Sequence, residues 1–350
     1  MKQLNHILQL MLLLFLTASL AAQKPQMVKL VKNDKERKVD ITIGGKPFTT
    51  FMYTDTMEKP FLYPLYASNG TMVTRGFPMN PKPGEPTDHP HHIGLWLNYE
   101  NVNGLDFWNN SFAIPAERKN KYGWIKTDQV TRTKDGEVGL LTYHANWTNQ
   151  AGEVLLEETT TFSISGTDHK RIIDRSTTLV AKTDVKLTDA KDGLLGLRLA
   201  QELQIPTKKE QKFTDDKGNV TTVKANADNI SNGNYMTSEG KQGDDAWSTR
   251  AAWCKVYGKM QSDSVSITIL DHPSNISFPT YWHARGYGLF AANPLGAKAF
   301  TNGATALNKE LKKGESIRFN YRIRIDDGAR TPSNEELNKE EAAFAKKAAN

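Results

Sequence analysis

Ser316-Ile-Arg-Phe-Asn-Tyr-Arg-Ile-Arg-Ile325 alternates apolar and polar side chains over its whole length. A strand turns successive side chains to opposite faces, so this pattern reads as a half-buried antiparallel strand. The same reading extends to other segments. Val265-Ser-Ile-Thr-Ile-Leu270 alternates almost as strictly. Val154-Leu-Leu-Glu-Glu-Thr-Thr-Thr-Phe-Ser-Ile164 and Arg171-Ile-Ile-Asp-Arg-Ser-Thr-Thr-Leu-Val180 are rich in β-branched residues. Val39-Asp-Ile-Thr-Ile43 runs into the turn Gly44-Gly45, then Phe48-Thr-Thr-Phe-Met-Tyr53. Gly139-Leu-Leu-Thr-Tyr-His-Ala-Asn-Trp147 completes the set. So many strands without an obvious linker predict an all-β chain built as one large two-sheet antiparallel sandwich.

Helical signals are confined to the end. Ser333-Asn-Glu-Glu336 reads as a capping box, and residues 333–347 as one short C-terminal helix covering a sheet edge. Residues 207–249 form a polar insertion, with a hairpin expected around Asp216-Lys-Gly218 and loop elsewhere. A polar stretch of that length is a flexible insertion or a functional lid, and Trp247 points to one that docks on the body.

The 350 residues are 38% hydrophobic and 9% aromatic, enough to bury a core, which excludes intrinsic disorder. The single Cys254 excludes a disulfide scaffold and reads as strand packing. Residues 1–22 combine Lys2, an apolar run from Leu10 to Leu16 and small residues before Ala22. They read as a secretory leader cleaved near Ala22, leaving 23–350 as one domain that works in the periplasm or outside the cell. The alternative is a membrane anchor, but the run is short for a bilayer span, so no stable span is expected after cleavage. The net charge of +6 falls by one with the leader. Its Lys and Arg residues are dispersed among acids, so no nucleic-acid partner is expected.

The histidines are unevenly placed. Asp88-His-Pro-His-His92 carries three and leads into Ile93-Gly94-Leu95-Trp96. Asp271-His-Pro273 and Phe278-Pro-Thr-Tyr-Trp-His-Ala-Arg285 carry two more, before Gly286-Tyr-Gly-Leu-Phe290. Histidine near neutral pH serves acid–base chemistry or binds a transition metal. His91, His92 and His283 are the candidate catalytic groups, with Asp88 able to orient an imidazole. His89 and His91, if they alternate along an extended segment, can share a face and chelate a metal, although no cofactor is required. Trp96, Trp108 and Trp282 are candidates to stack on a sugar, and Arg285 offers a fixed fork of donors. Asp106, Glu157 and Glu202 are further carboxylates without a spacing that pairs them. A phosphate-binding Gly-rich loop, a Gly-x-Ser-x-Gly elbow and His-Glu-x-x-His are all missing from the sequence.

These residues, with Asn103-Gly104, Asp106-Phe-Trp108, Asp271-His-Pro-Ser-Asn275, Pro279-Thr-Tyr-Trp-His283 and Tyr287-Gly-Leu-Phe290-Ala-Ala-Asn-Pro294, resemble the DUF6807 family. That family was earlier labelled PmoA, a methane oxygenase name. Ile93 departs from the arginine expected at that position in many members. The resemblance implies a galactose-mutarotase-like supersandwich and a role in bacterial polysaccharide degradation. Three functions follow as expectations: a carbohydrate-active enzyme with acid–base chemistry, a non-catalytic glycan-binding module, and a metal-dependent oxygenase.

Overall fold

The computed structural model describes residues 24–83, 85–214, 220–225 and 230–347, so the leader lies outside the described residues. Two eight-stranded antiparallel sheets carry the chain. The first runs, edge to edge, Val28–Asn33, Lys38–Ile43, Lys46–Met52, Phe61–Leu62, Leu95–Tyr99, Gly193–Arg198, Leu289–Asn293 and Tyr281–Ala284. The second runs Asn234–Thr237, Trp253–Met260, Asp263–Asp271, Ser316–Asp326, Lys170–Ala181, Val154–Thr167, Gly139–Thr148 and Trp124–Lys134. Every strand expected from alternation is present.

The sheets pack face to face around one core. Phe51 of the first sheet stacks on Tyr143 of the second at 4.6 Å, and Tyr235 of the second meets Phe290 of the first edge-on at 5.4 Å. Strand Lys170–Ala181 alternates buried and half-buried positions along its length, as a strand with one core face should. Ser316–Asp326 departs from that rule, being buried on both faces from Phe319 onward. The cause is the helix Asn334–Ala345, capped by the reciprocal bonds of Ser333 and Glu336. It lies over the outer face of the second sheet rather than at an edge. Its Leu337 and Phe344 pack on Trp253 and Leu270, and Glu340 pairs with Arg322 and Arg324 at 2.5 and 3.0 Å. The polar side of the most regular strand is therefore covered by ion pairs.

The insertion is more structured than its composition implies. Gln211–Thr214 pairs with Val220–Val223 as the expected hairpin, but Asn234–Thr237 is an edge strand of the second sheet, not loop. Four residues are too few for a periodic signal, and pairing with Trp253–Met260 creates the strand. The two Asp-His-Pro motifs are not equivalent either. Asp271 ends a strand of the second sheet, where it accepts from the backbone N–H groups of His272 and Thr280 and from Asn275. His272 packs on Phe344 of the helix and is not among the cavity-lining residues.

Within the core, on the same strand face as Phe162 and Ile164, sits the carboxylate of Glu158. It accepts from Tyr143 and Thr160 at 2.6 Å, Trp147 at 2.8 Å and Arg175 at 3.0 Å. Removing one partner of a buried ion pair strands the other. Glu158→Ala should therefore cost about 3–5 kcal/mol in urea unfolding. Glu157→Ala, next along the strand but in an exposed pair with Lys182, should cost less than about 1 kcal/mol.

Candidate active site

The outer face of the first sheet carries the site. Register places Phe61, Trp96, Gly196, Ala291 and His283 in one row across neighbouring strands. A shared row means a shared face. Between Trp96 and His283 stand only Gly196 and Ala291, and the missing bulk at Gly196 is filled by two tryptophan rings. A Cβ on Gly196 would lie 2.5 Å from the Trp96 ring and 2.8 Å from Trp108. Loops rise over this face and enclose a cavity of about 570 Å³ whose lining includes Trp108 and Leu289, within the usual size of small-molecule sites.

One wall is the turn bearing His89, His91 and His92, which is built on buried charge. Asp88 is bonded by Arg198 at 2.7 Å and Arg75 at 3.3 Å, with both arginine side chains fully buried. Arg75 also donates to the carbonyls of Asp88, His89 and His92. Lys59, buried below, donates to the His91 carbonyl at 2.7 Å. Burial pushes that ammonium down to about 8. These bonds hold His89 at φ +46°, a left-handed conformation unusual for a residue with a side chain. Gly94, at φ +55°, ends the turn where a Cβ would meet the Leu62 carbonyl at 2.1 Å.

The same bonds assign the tautomers. Burial would raise the Asp88 carboxyl, but Arg198, the His89 bond and Arg75 outweigh it and keep it ionised. His89 therefore donates its Nδ1–H to Asp88 at 2.5 Å, which leaves its lone pair on Nε2. Burial pushes His89 down to about 4, against the pull of Asp88. Arginine can only donate, so Arg198 at 3.2 Å makes Nδ1 of His92 the acceptor and puts its proton on Nε2. His89 and His92 are stacked 4.7 Å apart and nearly parallel, in opposite tautomers. Tyr287 continues the stack beyond His89 at 5.1 Å, and Trp96 beyond His92 at 5.3 Å.

The facing wall carries His283. Its strand lies three strand spacings from that of Trp96, roughly 14 Å, a gap that side chains reaching from both walls narrow. His283 Nδ1 is 3.5 Å from Asp192, whose carboxylate is also 3.5 Å from Lys191. Asp192 is anchored by Glu100, which accepts its N–H at 2.9 Å. Burial, then Lys191 and Arg285, drive His283 well below the ordinary histidine range. Trp247, brought by the insertion, lies under the Arg285 guanidinium at 5.3 Å.

The cavity thus gathers six expected residues: His89, His91, His92, His283, Trp108 and Arg285. Three others are placed elsewhere. Trp282 is adjacent to His283 in a strand and so faces the opposite way, into the core, where its Nε1 donates to the Ala251 carbonyl. Trp96 is fully buried behind His92, and Asp88 acts through His89 instead of touching the cavity. Ile93 packs in the apolar cluster with Tyr63 and Trp108, away from the lining. Asp106 is a loop clasp for Asn109, while Glu157 faces away on the second sheet. The extended geometry on which a His89–His91 chelate is expected is not adopted. The segment is a turn, the rings meet edge-on at 5.6 Å, and among the described residues no three metal-ligating groups converge. Asp192, Lys191 and Arg118 were not legible as site residues, because only long-range folding brings them here.

Four buried histidines with lowered pKa make the fold acid-labile. Each binds a proton more readily unfolded than folded, so stability is full above about 6.5 and is lost as pH falls toward 4. His89 alone contributes about 3 kcal/mol across that window. Asp271, which burial pushes up to about 7, works in the opposite direction over this window, so urea midpoints of Asp271→Asn protein taken from pH 7 to 4.5 should fall continuously, and a flat profile in that background would show these imidazoles to be solvated.

Solved structures are similar over most of this chain at low identity and low TM-score. A galactose mutarotase-like protein from Clostridium acetobutylicum is similar at TM-score 0.40 and 12% identity, over 86% of this chain and 98% of that one. A GH36 α-galactosidase from Geobacillus stearothermophilus is similar at 0.38 and 10%, over 86% of this chain and 41% of that one. An α-galactosidase from Lactobacillus brevis is similar at 0.36 and 9%, over 91% and 41%. The chain thus spans 41% of the length of these two α-galactosidases. No curated protein matches the sequence. The model of a family described as "Family of unknown function (DUF6807)" matches residues 38–341, and that description lends the older oxygenase label no support. With that span covered, the chain belongs to the DUF6807 family.

Proposed function

We propose that this protein is a carbohydrate-active enzyme whose cavity performs acid–base chemistry on a saccharide. The observation that carries the reading is that His89, His91, His92 and His283, from two distant segments, line one cavity with Trp108 and Arg285. His283 is neutral at neutral pH and backed by Asp192, so it serves as the general base. The 3.5 Å separation tightens once His283 gains a proton and Asp192 can pair with it. His92 is the complementary donor. Arg198 holds its Nδ1, which polarises the Nε2–H toward oxygen that gains negative charge. Trp108 and Trp247 supply apolar surface for the C–H faces of a sugar ring.

Turnover on a panel of oligosaccharides and aryl glycosides tests this directly. His283→Gln should lower kcat by about 10²–10⁴ with saccharide affinity retained, and Asp192→Asn should lower it less. Full turnover by both variants would sink the assignment, and binding without product by the parent protein would make the cavity a recognition module. The kcat/KM profile should hold to mildly acidic pH, with its acid limb below 6.5, because the base loses activity only when protonated.

The leader supports a working place outside the cytoplasm. The protein recovered from the periplasm or medium should begin at Gln23 by N-terminal sequencing, and an uncleaved Met1 in a membrane fraction would favour the anchor.

A further inference from the structure

Three of the four cavity histidines turn a ring nitrogen to a charged neighbour. His89 bonds Asp88 at 2.5 Å, His92 accepts from Arg198 at 3.2 Å, and His283 lies 3.5 Å from Asp192. His91 differs. Among the described residues neither of its ring nitrogens has a hydrogen-bond partner, and its bond to Lys59 at 2.7 Å is made by the backbone carbonyl. Packing holds the ring instead, edge-on to His89 at 5.6 Å and to His92 at 4.3 Å. Arg75 and Lys59 fix the carbonyls of His89, His91 and His92, so the turn cannot swing the ring toward another partner. His91 lines the cavity with 8% of its surface exposed, and neither nitrogen is sealed from solvent. A polar edge so far withdrawn from water is costly while it lacks a partner, and that cost is relieved by a guest in the cavity that bonds it.

We infer that His91 is the specificity residue of this cavity, reading one hydroxyl of the saccharide by accepting its hydrogen bond on a ring nitrogen. This rests on the carbohydrate reading above and gives that site its selectivity. Burial drives His91 well below the ordinary histidine range, so the ring is neutral and carries a lone pair. The arginines and lysine of the lining can only donate, and His92 presents a donor too, since Arg198 occupies its Nδ1. A hydroxyl both gives and takes a hydrogen bond. Its proton goes to His91, and its lone pairs remain for the donors around it. With the His91 and His92 rings 4.3 Å apart, that hydroxyl lies beside the oxygen that His92 serves. A sugar without it leaves a buried lone pair unmatched. A site built on a hydroxyl rejects the analogue lacking it far more strongly than an apolar pocket rejects a change in size.

The probes are p-nitrophenyl glycosides of galactose, glucose and mannose with their monodeoxy and monodeoxyfluoro counterparts, offered to the full chain. The readout is kcat/KM where a glycoside is turned over and Kd by calorimetry where it is only bound. Deleting the hydroxyl at one position should weaken kcat/KM or affinity by at least about 10²-fold, and the fluoro analogue there, which has no proton to give, should fall with it. His91→Phe keeps a flat ring against His89 and His92 and removes both nitrogens. It should bring the intact sugar down to the level of the deoxy sugar, with no further loss when the hydroxyl is deleted. His91→Gln, which keeps an acceptor, should restore part of the discrimination. A purely structural His91 would instead lower every glycoside by the same factor and leave the hydroxyl's share intact, which overturns the assignment. Tolerance of every deletion by the unaltered protein overturns it as well, with no variant needed, and leaves the carbohydrate reading standing. Failure of every glycoside to bind or react with folded protein overturns both.

Discussion

Asp88 and the two arginines that share it are the contact on which the site depends. A carboxylate and two guanidinium groups withdrawn from water are costly unless each finds partners, and here they find them in one another and in the backbone of the histidine turn. The energy of that cluster is spent on geometry. It holds His89 in a left-handed conformation, fixes opposite tautomers on two stacked imidazoles, and anchors the turn to the strand Gly193–Arg198 at the centre of the first sheet. A turn held only by loop contacts would not keep three rings in register.

The sheet itself supplies the second constraint. Its inner face is an ordinary apolar core, and its outer face is shaped by what is missing from it. At Gly196 the missing side chain is replaced by the rings of Trp96 and Trp108, and the loops close over the face beyond them. The polar insertion joins this enclosure through Val220 and Trp247, so a segment with the composition of a flexible loop forms part of the cavity wall. The second sheet has no such role. Its outer face is occupied by the C-terminal helix, which neutralises the arginines of the most regular strand.

Burial and charge act together on the chemistry. Desolvation and neighbouring cations both lower histidine pKa, so all four cavity imidazoles are neutral where a solvated histidine would be partly protonated. Neutral imidazoles serve as bases or as hydrogen-bond donors according to tautomer. The cost is stability in acid, since protonation of these rings favours the unfolded chain.

Much of this was legible in the residues alone. Period-two alternation is a local property, so Ser316–Asp326 and Lys170–Ala181 announced themselves as strands, and Ser333 and Glu336 announced a helix start. The clustering of His89, His91 and His92 just before Gly94 marked the site, and His283 and Arg285 were marked by a second histidine-bearing, aromatic-rich segment. Other features were hidden because alternation tells that neighbours face apart without telling which face is which. Trp282 and His283 are adjacent, and only the packing of the second sheet decided that tryptophan is core and histidine is cavity. Asp192 stands in a turn without any motif, and it became a partner of His283 because Leu289–Asn293 pairs with Gly193–Arg198 on one side and Tyr281–Ala284 on the other. The sequence by itself determined the strands, the helix cap and the histidine cluster, since each depends on residues within a few positions. The tertiary structure alone decided the cavity and its facing wall, since those arise from side chains brought together across strands that are distant in the chain.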